Sequence, residues 1–285
     1  MAIDREKLLN WPFKEVEHTY TFRDTILYAL GLGVSIDQMD EDQLRFTYEE
    51  NLQCLPSMAV VLGGPGFWVK DPESGVDWVK VLHGEQGMVI HKPLPAEATV
   101  VGLTKVTDVI DKGEGKGALI LQERTVHDKS TGDLLATLTS TTFARGDGGI
   151  GGGGGPGKPV HQLPDRDPDM SVDMTTHDNQ ALIYRLSGDY NPLHADPKVA
   201  RGGGFDKPIL HGLCTLGIAS HAILQSQCSY DPAKFKTLDL RFSSPVYPGE
   251  TIRTEMWRDD NIVSFRSRVV ERDIVVLNNG RAEVG

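Results

Sequence analysis

Apolar positions recur at helical spacing in three stretches of this chain, residues 22–30, 174–186 and 212–225. The last carries small residues, Gly212, Gly217, Ala219 and Ser220, so a neighbouring element can approach it closely, as in a buried helix wrapped by a sheet. Between the helical stretches the pattern changes to β-rich runs. Residues 100–110, 118–126 and 134–143 form one set, with turn residues at 112–115 and 130–133, and residues 251–257, 262–271 and 274–277 form another. A proline-rich strand entry precedes each set, at 92–100 and at 244–252. Two segments, 1–145 and 160–285, therefore read as degenerate copies of one plan, each with a main helix and several antiparallel strands, an α+β pattern.

The boundary between the copies is residues 146–159, GDGGIGGGGGPGKP, where so much glycine makes ordering too costly in entropy for a helix or strand. The stretch reads as a linker. It matches two phosphate-binding patterns only formally. Gly146, Gly148 and Gly151 have GxGxxG spacing with no helix-forming run behind them, and Pro159 stands where a P-loop needs Ser or Thr.

Composition narrows the class. In 285 residues, 39% are hydrophobic and 24% charged, which suits a packed globular chain. No run of about 18 apolar residues predicts a membrane span, and the N-terminus lacks the apolar segment of a secretory signal. The net charge of −11 argues against nucleic acid as a partner, although a few Lys and Arg can still hold an anionic ligand. Three scattered cysteines, Cys54, Cys214 and Cys228, suggest neither a disulfide framework nor a metal site. A cytoplasmic setting is the expectation, with the peroxisome as alternative, since the last residues, Arg-Ala-Glu-Val-Gly, are not a Ser-Lys-Leu address.

The most informative segment is 187–194, with Gly188, Asp189, Asn191, Pro192 and His194. Gly, Asn and Pro break the preceding helix, so Asp189, Asn191 and His194 are expected on a tight loop that aims polar groups at one point. An Asp and a His around one water supply a base and an acid, with Asn191 orienting either. An Asx-turn with a surface histidine explains the same residues equally well. Seventeen residues on, Pro208-Ile209-Leu210-His211-Gly212 reads as a helix start. Its unpaired N–H groups could stabilise an oxyanion; alternatively Gly212 is a tight helix entry and His211 a cap or packed surface residue.

Taken together, G-D-x-N-P-x-H and the following P-x-x-H-G helix start resemble the signature of the hydratase 2 family, the MaoC-like (R)-specific enoyl-CoA hydratases. The similarity extends to residues 81–86, 109–113, 211–215 and 245–249. It implies a double hot-dog fold, two repeats each with a long helix wrapped by an antiparallel sheet, and conversion of trans-2-enoyl-CoA to (3R)-3-hydroxyacyl-CoA. Residue by residue it implies Asp189 and His194 as the catalytic pair, Asn191 as their support and the Gly212 N–H as oxyanion donor. His83, Gly84, Lys112 and Arg241 fall on positions toward coenzyme A and the thioester, and no metal or redox cofactor is implied. The N-terminal copy lacks the catalytic loop and is expected to house the acyl chain, with residues 55–62 as lining or core. The partner is an acyl-CoA, with a homodimer left open. Competing readings are a carrier-protein-linked dehydratase, a thioesterase and a non-catalytic acyl-CoA-binding module.

Overall fold

In a computed structural model, residues 3–37, 39–151 and 159–285 are described. The N-terminal half contains α1 (Arg5–Leu9), β1 (Val16–Tyr20), α2 (Phe22–Gly31), α3 (Glu41–Leu44), β2 (Val81–Ile90), β3 (Ala98–Asp111), β4 (Ala118–Asp128) and β5 (Leu134–Ala144). The C-terminal half contains β6 (Met170–Thr175), α4 (Gln180–Tyr184), α5 (Pro197–Gly202), α6 (Gly212–Cys228), β7 (Phe235–Phe242), β8 (Thr251–Asp259), β9 (Ile262–Val269) and β10 (Ile274–Val284).

The strands form one ten-stranded antiparallel sheet in the order β1-β3-β4-β5-β2-β7-β10-β9-β8-β6. Read inward from each edge, both halves have the same order, with β6 to β10 repeating the places of β1 to β5. The halves join through β2 and β7, paired from Glu85 with Arg241 to Val89 with Thr237. α6 is buried along most of its length and packs against strands of its own half and against residues 56–61. A Cβ at Gly217 would lie 2.5 Å from a Leu32 methyl, so the small residue lets the segment after α2 close onto α6.

The expected symmetry is incomplete. Where the C-terminal half has α6, the N-terminal half has a buried 3-10 helix, Pro56–Val61, in place of a second long helix. Residues 174–186 also differ from the single helix expected. Met174 and Thr175 pair with Ile252 and Thr251 of β8, and the Thr176 hydroxyl donates to the Glu250 carbonyl. Sheet pairing thus captures the β-branched positions, and α4 begins only at Gln180. Strands β1, β2, β6 and β7 escape the sequence pattern. β2 holds His83, Gly84, Glu85, Gln86 and Gly87 in succession, which shows no alternation, and its ladders with both neighbours outweigh that weak local preference.

Most of the expected linker, residues 152–158, lies outside the described residues. Just before it, the Asp111 carboxylate accepts the N–H groups of Gly149 and Gly151, at 2.9 and 3.0 Å, and ties the chain to the β3–β4 turn.

His221, on α6, is buried with neither ring nitrogen hydrogen-bonded. Burial lowers its pKa to about 4 from 6.5, with the Asp40 charge opposing the shift. The unfolded chain therefore binds the proton first, and stability present above pH 6.5 is lost as pH falls toward 4. The loss is on the order of 3 kcal/mol. A His221→Leu variant is expected to flatten the dependence of the urea midpoint on pH between 7 and 4.5. An unaltered slope would place the acid sensitivity elsewhere.

Candidate active site

The site is built where the two sequence pieces meet. α4 runs into a 3-10 turn, Arg185–Ser187, which ends at Gly188 with φ of +119°, a conformation that favours glycine. The chain then reverses through Asp189 and Asn191. The Asp189 carboxylate accepts the Asn191 N–H at 3.1 Å, and the Asn191 side-chain oxygen accepts the Leu193 N–H at 3.1 Å. These bonds cap the turn Pro192–His194 and deliver a buried His194. Asn191 therefore holds the loop in shape, as in an Asx-turn, and its side chain is not among the groups that converge below.

The second piece arrives extended. Leu210 donates its N–H to the Val246 carbonyl at 2.7 Å, and His211 forms the N-cap of α6. The rings of His194 and His211 stack, with centroids 3.7 Å apart and planes at 28°. Tyr184 flanks His211 at 5.0 Å. The first intrahelical bonds are donated by Cys214 and Thr215 to the His211 carbonyl, leaving the N–H groups of Gly212 and Leu213 as the helix's unpaired donors.

Hydrogen bonds fix both histidine tautomers. A carbonyl can only accept, so His194 Nδ1, 2.9 Å from the Ile209 oxygen, carries a proton and leaves Nε2 as a lone pair. His211 Nε2 likewise donates to the Asp189 carbonyl at 3.2 Å, and its buried Nδ1 has no hydrogen-bond partner. Burial lowers the pKa of His194, opposed by the Ile209 hydrogen bond and the Asp189 charge. Burial and then the adjacent His194 lower that of His211, again opposed by Asp189. Both rings are thus held neutral near pH 7.

One ligand atom each from Asp189, His194 and His211 lies within 4.8 Å of the others. A single point therefore lies no more than about 2.8 Å from all three, within reach of a hydrogen bond to water. The geometry suits a water oxygen. His211, which the sequence reading takes as a cap or packed residue, is both the N-cap of α6 and buried; its stacking on His194 is what the sequence reading missed, because the spacing between them carries no information about it.

The other expected residues take distinct places. Gly84 is the extra residue of a bulge between β2 and β5, at a register shift between His83 and Glu85. The His83 ring packs on Phe242 at 4.7 Å, and a Cβ at Gly212 would come within 3.2 Å of the same Phe242 ring. Phe242 therefore links His83 and Gly84 to the helix start. Desolvation lowers the His83 pKa, opposed by hydrogen bonds with Glu85 and Gln86 and by the Asp189 charge. Arg241 is ion-paired with Glu85 at 2.9 Å. Lys112 is exposed on the β3–β4 turn, at the same end of the sheet as His83 but three strands away, about 14 Å at ordinary strand spacing. The structure thus brings together Asp189, His194, Gly212, His83 and Gly84, and sets Lys112 apart.

Residues 159–279 match the family profile "MaoC like domain", and residues 18–146 match "MFE-2 hydratase 2 N-terminal domain". The probable enoyl-CoA hydratase 2 of Dictyostelium discoideum is 40% identical over 99% of this chain and 97% of its own length. The peroxisomal enoyl-CoA hydratase 2 of Arabidopsis thaliana is 39% identical over 95% and 92%. The crystal structure of a MaoC-like dehydratase from Phytophthora capsici superposes with a TM-score of 0.89 at 37% identity, covering 99% of this chain and 98% of that one.

Because the Asp189 charge raises both histidine pKa values, an Asp189→Asn variant is expected to titrate His194 and His211 at lower pH than the parent. Imidazole NMR titration measures this. Values that stay put or rise would separate Asp189 from the pair.

Proposed function

The chain belongs to the MaoC-like hydratase 2 family, and from that membership we propose how it works as an (R)-specific enoyl-CoA hydratase. It adds water to trans-2-enoyl-CoA, reversibly, giving (3R)-3-hydroxyacyl-CoA in fatty acid metabolism, and is a hydro-lyase. The observation that supports the site assignment is the meeting of Asp189, His194 and His211 at hydrogen-bond distance from one point, beside the free N-terminus of α6.

The thioester carbonyl oxygen is placed at the Gly212 N–H. As water attacks C3, the C2=C3 electrons move toward C2 and negative charge builds on that oxygen. A fixed donor there is worth about 3 kcal/mol in comparable oxyanion holes, and the dipole of α6 adds to it. Asp189 and His194 Nε2 hold the water; one takes its proton as the C3–O bond forms, and the pair delivers a proton to C2, so that the net change is addition of one water. A residue larger than glycine at position 212 would crowd Phe242 and move the donor.

The acyl chain is assigned to the N-terminal half, where a six-residue 3-10 helix occupies the place of α6 and presents buried Leu55, Met58, Ala59 and Val60. The coenzyme end is assigned to the His83–Gly84 side. Lys112 lies across the sheet at a reach comparable with a pantetheine arm, where its ammonium suits a phosphate. Arg241 joins that role by exchanging Glu85 for phosphate oxygen. No helix among the described residues is long and apolar enough to cross a membrane; the chemistry suits a cytoplasmic or a peroxisomal setting.

Hydration is followed as loss of enoyl-thioester absorbance with esters of four to twelve carbons, with chiral analysis of product. The (3R)-hydroxyacyl product is expected, and a folded protein that hydrates no length would overturn the assignment. Asp189→Asn and His194→Gln are each expected to lower kcat on the order of 10²–10⁴-fold while the fold is kept; near-parental turnover in either removes that residue from the mechanism. Lys112→Gln is expected to raise KM with kcat maintained, and a fall in kcat at constant KM contradicts a binding role.

A further inference from the structure

Arg124 has no task in the hydration described above, yet it is set into the N-terminal core. On β4 the residues that face inward include buried Ile120 and Val126, and Arg124 shares their face. It lies directly opposite Thr104 of β3 on one side and buried Leu138 of β5 on the other. Nη2 donates to the Val60 carbonyl at 2.7 Å, and the guanidinium lies on bare Gly64, where a Cβ would come within 2.4 Å of Nη1. The side chain is therefore folded under the end of the 3-10 helix Pro56–Val61 and the turn after it. No carboxylate among the described residues pairs with it: burial lowers its pKa to about 10, and no acid opposes the shift. Nε of Arg124 is buried without a hydrogen-bond partner, and so is Oγ1 of Thr104 across the ladder. Opposed residues on neighbouring strands hold their Cβ atoms about 5 Å apart, so two orphan donors stand side by side on the inner face.

A charged donor sealed from water and left unpaired is destabilising. Holding the Val60 carbonyl needs one N–H, which a neutral amide could supply. A guanidinium adds a fixed charge and a planar edge of donors, the arrangement that fits a carboxylate. Resting on the acyl-chain assignment made above, we propose that Arg124, with the Thr104 hydroxyl beside it, receives a carboxylate at the far end of the acyl chain, so that the enzyme takes enoyl-CoA esters of dicarboxylic acids.

The ladder sets the length of that chain. His83, Thr142 and Ile120 lie side by side across β2, β5 and β4, and Arg124 is four residues further along β4. Two strand spacings by four residues make a diagonal of about 16 Å between backbones. An extended chain advances about 1.2 Å per bond, and the long arginine side chain shortens the gap. An acyl chain of about eight to ten carbons starting beside His83 thus brings its last carbon to the guanidinium. The Arg124 charge already acts on the His83 ring, so the two ends of this path share one electrostatic environment. A methyl-ended chain of the same length sets a group that can accept no hydrogen bond against the two donors, and a shorter chain stops before them.

The test compares kcat/KM for pairs of trans-2-enoyl-CoA esters of six to twelve carbons, equal in length, one ending in a methyl group and one in a carboxylate. The parent is expected to favour the carboxylate-ended ester on the order of 10-fold at eight to ten carbons, through KM. Arg124→Met, which keeps the length of the side chain without its charge, is expected to favour the methyl-ended ester instead. A parent that prefers the methyl-ended ester at every length overturns the proposal, as it would if water filled the place of the carboxylate. So does an Arg124→Met enzyme that loses activity equally on both members of each pair, the result of a simple clamp on Val60. A parent that hydrates neither series would instead sink the hydratase reading, so the two failures are distinct. If Arg124→Met does not fold, as circular dichroism reports, Thr104→Val takes its place, and an undiminished preference for the carboxylate in that variant overturns the proposal.

Discussion

The pairing of β2 with β7 is the constraint from which the site follows. This five-residue ladder from Glu85 to Val89 joins two five-stranded halves into one sheet, and it stops at Glu85 and Arg241. Immediately beyond, His83 and Gly84 of one half stand beside Phe242 of the other, and Phe242 in turn touches the start of α6. A one-residue slip would turn every side chain of β2 to the opposite face and separate His83 from Phe242. The bulge at Gly84 serves the same end, since the extra residue frees this stretch from regular pleating beside the helix start.

Within that frame, backbone carbonyls rather than side chains set the chemistry. Ile209 and Asp189 each accept one histidine N–H, so His194 and His211 each keep one ring nitrogen unprotonated. The two carbonyls come from the two sequence pieces, 187–194 and 208–212, and each piece orients the other's histidine. Burial opposes charge on both rings, and the exposed side of Asp189 keeps a negative charge close enough to moderate that effect.

Much of this arrangement was legible from local sequence, and the rest failed for physical reasons. Six strands and the helix at 22–30 follow from alternation and spacing because local preference and tertiary pairing agree there. β2 could not be recognised, because its polar, glycine-rich run is strand only by virtue of neighbours far away in sequence. Asp189, His194 and Gly212 could be named because a break after a helix and a glycine at a helix start leave marks in the chain. Stacking of His194 on His211 leaves none, being fixed by the Leu210–Val246 bond and the ring contact with Tyr184. The two matching strand orders make the internal repeat plain in space, whereas in sequence only a shared order of helical stretch, proline-rich strand entry and β-rich runs suggests it.

The asymmetry between the repeats then has a mechanical meaning. α6 needs 17 residues buried on nearly all sides to hold its first N–H groups still, because an oxyanion donor is effective only if it need not move when charge develops. The equivalent place in the N-terminal half has no donor to hold still, and the six residues of Pro56–Val61 suffice to close the core there. On the reading proposed above, the shorter element leaves the acyl chain its place in the N-terminal half while α6 carries the chemistry. On that reading, the N-terminal copy lacks both the catalytic loop and the long helix that would hold its donor.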